Sequence, residues 1–135
     1  MIRASSCRAD AAVEREIARV ADALAALRVP AEPGEYDIHG EIAAALAAAG
    51  LCYDHEYRLG PRCRVDFRVG RIGIEVKKGR PVARALRDQL ARYLAFDALE
   101  GIVVVAQKSL PLPAALDGKP VRLVSLNRLW GVALP

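Results

Sequence analysis

Three cysteines in 135 residues are too few, and odd in number, for a disulfide framework. Cys7, Cys52 and Cys63 are expected as free thiols in a reducing, cytoplasmic setting. Histidine is scarcer still. His39 and His55 are the only two, and no hydroxyl or thiol nucleophile is placed beside either, which argues against a histidine-based triad. Cys52, His55 and Cys63 fall one ligand short of a structural zinc site. No apolar run approaches the roughly 20 residues of a membrane helix, and charged residues recurring from Arg8 to Arg19 leave no room for the apolar core of a secretory leader. Internal repeats, phosphate-cradling glycine loops and low-complexity tracts are also missing. The expectation is a soluble cytoplasmic protein without membrane contact.

What the chain does hold is apolar and basic. With 53% hydrophobic residues over 135 positions, it can bury the core of one domain but not comfortably of two. The formal charge is +4, and sixteen arginines stand against four lysines. That balance favours a polyanionic partner. Abundant alanine and arginine is also what a GC-rich coding bias produces, so the arginine count alone names no partner.

Taken in order, residues 1–8 read as a loose start. Val13, Ile17, Val20, Leu24 and Leu27 then recur at helical steps within a helix over Ala9 to Arg28. Its apolar stripe serves either the body of the domain or a second copy in a homodimer. Two prolines and a glycine between Val29 and Gly34 set residues 1–34 apart as an accessory helix and linker, with the core of the domain in 35–135. A second, alanine-rich helix is predicted over Ile38 to Ala49, with Asp37 as N-cap and Gly50 as the residue that ends it. Leu51 to Leu59 reads as a strand ended by Gly60-Pro61, Val82 to Leu99 as a helix, and Ile102 to Ala106 as a strand buried on both faces. A proline-rich loop over Leu110 to Pro120 leads to a last strand, Val121 to Leu126, and an apolar tail containing Trp130.

Between these elements, residues 62–78 read Arg-Cys-Arg-Val-Asp-Phe-Arg-Val-Gly-Arg-Ile-Gly-Ile-Glu-Val-Lys-Lys. Two apolar/polar alternations meeting at Gly70-Arg71 predict a β-hairpin, with Gly70 in the position of a type II′ turn that requires φ > 0. The register then sets Val69 against Ile72, Phe67 against Ile74, and Asp66 against Glu75. Val65, Phe67, Val69, Ile72, Ile74 and Val76 are expected on one face, and Arg64, Asp66, Arg68, Glu75 and Lys77 on the other. Directly opposed carboxylates about 4.5–5.5 Å apart at Cβ repel unless something positive lies between them. A divalent cation satisfies that need, since Mg²⁺ takes one or two carboxylates and leaves its other positions to water and phosphate. The plainer reading is a solvated face of alternating charges.

This order of elements resembles the PD-(D/E)XK, or restriction-endonuclease-like, nuclease superfamily over residues 37–106. Asp66 and Glu75-Val76-Lys77 stand at the Asp and Glu-x-Lys of its motif, with Val65 in place of the eponymous proline, and Glu41 falls on the first-helix glutamate. Gln89-Leu90-Ala91-Arg92-Tyr93 is similar to the Gln-x-x-x-Tyr element of the RecB-like branch. The resemblance implies an α/β fold with a central mixed β-sheet of about four to five strands flanked by helices in αβββαβ order, with an extra N-terminal helix. It implies a Mg²⁺-dependent deoxyribonuclease, Mn²⁺ being an acceptable substitute, of repair, recombination, restriction or mobile-element type. Asp66, Glu75, the carbonyl of Val76 and Glu41 would hold metal. Lys77 and Gln89 would join the two carboxylates and Glu41 in catalysis. Arg64, Arg68, Lys78, Arg80, Arg84 and Tyr93 would contact DNA. The alternative is a non-cleaving nucleic-acid-binding or interaction module on the same fold.

Overall fold

A computed structural model describes residues 2–27 and 38–126, with side chains from residue 11 onward. The expected break at Pro30 to Gly34, the Asp37 cap and the Trp130 tail lie outside the described residues. The chain runs α1 (Ile2–Ala25), α2 (Ile38–Ala48), β1 (Asp54–Gly60), β2 (Cys63–Val69), β3 (Ile72–Lys77), α3 (Ala83–Leu94), β4 (Gly101–Ala106), β5 (Ala115–Leu116) and β6 (Lys119–Ser125). The fold is α/β, with six strands in the order β1-β2-β3-β4-β6-β5.

Antiparallel pairs join β1 to β2, β2 to β3 and β5 to β6, whereas β3, β4 and β6 run parallel. Six strands exceed the four to five expected. The extra one arises at Asp117-Gly118, both at positive φ (53° and 73°), where a two-residue turn folds part of the proline-rich loop into the β5–β6 hairpin. Every residue of β4 is buried, as its unbroken apolar run requires.

Helices cover both faces. On one, α1 and α2 bury Val13, Ile17, Val20, Leu24, Ile38, Ile42 and Leu46 against Phe67, Ile72, Ile74, Val103 and Val105. On the other, α3 buries Leu86, Leu90, Tyr93 and Leu94 against Val65, Ile102, Val104 and Val121. Of the two roles left open for the apolar stripe of α1, it serves the body of the domain. The helix starts at Ile2, its stripe fills the core of its own sheet, and Glu16 and Glu14 pair with Arg71 and Arg122. Burial of Val13, Ile17, Val20 and Leu24, at roughly 1.5–3 kcal/mol each, explains why the helix packs there rather than standing apart.

The helix ends are specific. At α2, Gly50 has φ +74°, Leu51 N–H donates to the Leu46 carbonyl at 2.9 Å and Gly50 N–H to that of Ala47 at 3.0 Å, a Schellman closure. Beyond α3, the Lys119 ammonium donates to the carbonyls of Leu94, Phe96 and Leu99 at 2.7–3.2 Å. A cation thereby satisfies carbonyls that a helix end leaves open. Among the described residues no helix is long and apolar enough to cross a membrane.

Candidate functional site

The β2–β3 hairpin turns at Gly70, φ +58°, with Val69 opposite Ile72, Arg68 opposite Gly73 and Phe67 opposite Ile74, the register expected from sequence. At Gly73 an added Cβ would sit 2.8 Å from Leu99 Cδ1, so glycine here lets α3's following loop close on the sheet. The ladder stops at Phe67–Ile74. Asp66 and Glu75 are not a cross-strand pair. Instead Asp66 Oδ2 accepts the backbone N–H of Val76 at 2.8 Å.

The alternation of β2 also breaks at Asp66. Phe67 packs with α1 and α2, but Val65 packs with α3, so the expected single face for Val65 and Phe67 does not hold. On β1, His55 pairs with Phe67 and Tyr57 with Val65. Between them Glu56 has φ +53°, a conformation that side chains other than Gly and Asn seldom adopt. The two neighbours of Asp66 thus join the cores on opposite faces of the sheet, beside this irregular residue.

Glu75 is 4% exposed on the most buried strand pair of the sheet. Its Oε2 lies 3.1 Å from the Lys77 ammonium and 3.4 Å from the Tyr93 hydroxyl, which donates to it; Gln89 Nε2 in turn donates to the Tyr93 oxygen at 2.9 Å. Its Oε1 is buried without a hydrogen-bond partner. Burial first, and the Asp66 charge second, push the Glu75 carboxyl up to about 7, against the opposing pull of Lys77. The Tyr93 phenol is raised as well, by burial and then by the Glu75 charge. A carboxylate held this way lacks a positive neighbour on Oε1.

The expected site residues divide accordingly. Asp66, Glu75, Val76, Lys77, Gln89 and Tyr93 are brought together. Tyr93 is not at a rim, however: it is 5% exposed and packs in the α3 core with only its hydroxyl reaching Glu75. Glu41 is turned away, lining a groove with Ala23, Ala26 and Leu27 of the α1 end. The buried stripe Ile38, Ile42 and Leu46 explains this, because Glu41 and His39 flank it on opposite sides. His39 takes the position expected of Glu41. Its Nε2 lies 3.9 Å from Asp66 Oδ2, and its Nδ1 lies 2.9 Å from His55 Nε2. His55 stacks on Phe67 with ring centroids 4.6 Å apart. The stripe of α2 was the signal that could have chosen His39 over Glu41.

Among the expected DNA contacts, Lys78, Arg80, Arg84 and Arg64 are exposed. Arg68 is not a free cation. It lies 4.0 Å over the Tyr57 ring, pairs with Asp54 at 3.3 Å, and has a buried Nε. Arg58, Arg62 and Arg92, not singled out by sequence, line one cleft with Arg64, Gln89 and Tyr93. Cys63 in the same wall has its thiol pushed up by burial, which suits neither a metal ligand nor a nucleophile.

Among the described residues no three His, Cys, Asp or Glu side chains gather as a ligand group; a hard divalent cation held here would have Asp66 and Glu75 as its anionic ligands. Two carboxylates are what Mg²⁺ takes when water and phosphate complete its shell. The orphaned Glu75 Oε1 is an acceptor such a cation would satisfy.

Compared with known proteins, the chain matches no family model, and neither a curated protein nor a solved structure shows significant similarity.

Proposed function

We propose that this chain is a metal-dependent deoxyribonuclease with a restriction-endonuclease-like core, of the PD-(D/E)XK kind. The observation that carries the reading is a buried Glu75 carboxylate near the Asp66 charge, with one oxygen on the Lys77 ammonium and the other without a partner. A buried unsatisfied acceptor costs about 1–3 kcal/mol, a cost that a bound cation would remove.

Asp66 and Glu75, with the Val76 carbonyl, would hold Mg²⁺. When bound, the ion supplies polarisation of the scissile phosphate and acidification of the attacking water. The Val76 amide orients Asp66, and the Gln89–Tyr93 relay orients Glu75. Lys77, whose side chain is 24% exposed, can reach both Glu75 and a phosphate in solvent. There it stabilises the negative charge that develops as the water oxygen–phosphorus bond forms and the bond to the leaving oxygen breaks. His39 steadies the outer side of Asp66. Exposed Lys78, Arg80 and Arg84 contact the DNA backbone without reading bases.

A second reading, a nucleic-acid-binding module without cleavage, draws on the displacement of Glu41 from the carboxylates. Incubating linear and circular DNA, single- and double-stranded, with Mg²⁺ or Mn²⁺ against EDTA separates the two. Metal-dependent scission supports the nuclease. Binding with no scission under either metal supports the module.

A further inference from the structure

The Arg58, Arg62, Arg64 and Arg92 guanidiniums line one cleft of about 480 Å³, whose remaining wall includes Gln89 and Tyr93. Arg58 and Arg64 are cross-strand partners on the β1–β2 hairpin, with Arg62 in its turn, and Arg92 joins them from the last turn of α3. The fourth guanidinium is therefore brought in by the packing of α3 on the sheet. Three other arginines have carboxylate partners, Arg68 with Asp54, Arg71 with Glu16 and Arg122 with Glu14. Among the described residues no carboxylate pairs with these four. All four are exposed, so their charges are hydrated and available to an incoming anion, and guanidinium forks match phosphate oxygens two at a time.

The cleft has the volume of a small-ligand pocket, in a range of about 300–1,000 Å³. That holds a nucleotide unit, not a length of duplex. An internal phosphodiester brings a single negative charge there. A terminal phosphomonoester brings about −1.5 to −2 and three strong acceptor oxygens, the better match to four converging guanidiniums. Tyr93 belongs both to the cleft wall and to the relay onto Glu75, so a group held by the arginines lies next to the carboxylate site.

We propose that this arginine cleft is a receptor for the phosphorylated end of a nucleic-acid strand, which makes the protein act from strand ends. The direction of action rests on the nuclease reading above; the binding site does not.

The test measures fluorescence anisotropy in EDTA with short single-stranded oligonucleotides carrying a 5′-phosphate, a 3′-phosphate or hydroxyls at both ends. One phosphorylated form is expected to bind about tenfold tighter than the hydroxyl form, a gain of the size charge-assisted hydrogen bonds give. The arm that gains identifies the end recognised. The double variant Arg58→Gln/Arg92→Gln should remove the difference while keeping the circular dichroism spectrum. Arg62→Gln, in the exposed turn, serves if the double variant does not fold. Equal binding of all three oligonucleotides, or a preference that survives these substitutions, overturns the proposal. With Mg²⁺ present, cleavage of linear but not circular DNA supports it. Equal cleavage of circular DNA overturns end recognition and leaves the nuclease standing. End preference without any cleavage keeps the cleft and rejects the nuclease.

Discussion

Asp66 Oδ2 accepts the Val76 amide proton at 2.8 Å across the point where the β2–β3 ladder ends. One oxygen of the aspartate thus takes the place of a missing ladder acceptor, and the strand that carries Glu75 and Lys77 is fixed to the strand that carries Asp66.

This bond changes what an aspartate substitution does. If Asp66 were only a repelled carboxylate, its loss would stabilise the metal-free protein. Because it also satisfies the Val76 N–H, Asp66→Ala is expected to cost about 1–3 kcal/mol, whereas Asp66→Asn, which keeps an oxygen acceptor, stays near wild type. Both should abolish cleavage. Urea unfolding in EDTA beside a cleavage assay checks the split, and equal stability of the two variants would show that the amide bond contributes nothing.

Glu75 predicts a pH dependence. Its carboxyl is raised from 4.5 to about 7 in the folded protein, so between these values the folded state holds the proton more tightly than the unfolded one. The stabilisation is full below about pH 4.5 and is lost as pH rises through 7, by on the order of 3 kcal/mol for a shift of that size. Glu75→Gln should flatten this part of the metal-free profile and melt higher than wild type at pH 8. Excess Mg²⁺ should restore wild-type stability at that pH. A wild-type profile without a fall between pH 5 and 8 in EDTA would contradict the assigned burial.

Tyr93 is a core residue whose hydroxyl reaches Glu75. Tyr93→Ala should lose about 3–5 kcal/mol, the usual result of emptying an aromatic core position. Tyr93→Phe should keep most of the stability but lower the cleavage rate about 10–100-fold, as Gln89→Ala should, since each removes part of the support behind Glu75. Thermal melts and single-turnover rates measure the two effects. A Tyr93→Phe rate equal to wild type would reduce the residue to packing.

His39 and Glu41 offer a direct contrast on one helix. His39→Ala is expected to lower the rate about 10–100-fold through the loss of its contact with Asp66, and Glu41→Gln to leave it within about twofold. The reverse order in a paired rate measurement would place Glu41, not His39, beside the carboxylates.

Much of this site was legible because it is local. Gly70, the alternation around it and the Glu-Val-Lys spacing dictate the turn, the three-pair register and the shared face of Glu75 and Lys77. The features that escaped depend on contacts between distant segments. The face change at Asp66 lies opposite Glu56, at positive φ in the neighbouring strand, and local alternation does not show it. The choice of His39 over Glu41 depends on how α2 rotates once Ile38, Ile42 and Leu46 are buried. The role of α1 turned on whether its stripe met this sheet or a second copy, which periodicity cannot distinguish. Asp117-Gly118, by contrast, is a strong hairpin signal, obscured by the prolines around it.

The most direct measurement is the single-turnover cleavage rate of linear DNA over a Mg²⁺ titration, for wild type, Glu75→Gln and Lys77→Ala, with DNA affinity measured in parallel. The account predicts metal-dependent cleavage by wild type, none in EDTA, and losses of about 10²–10³-fold or more in both variants, with affinity within about threefold of wild type because one contact among several phosphate contacts contributes little. Wild-type cleavage by Glu75→Gln at saturating Mg²⁺ would contradict it.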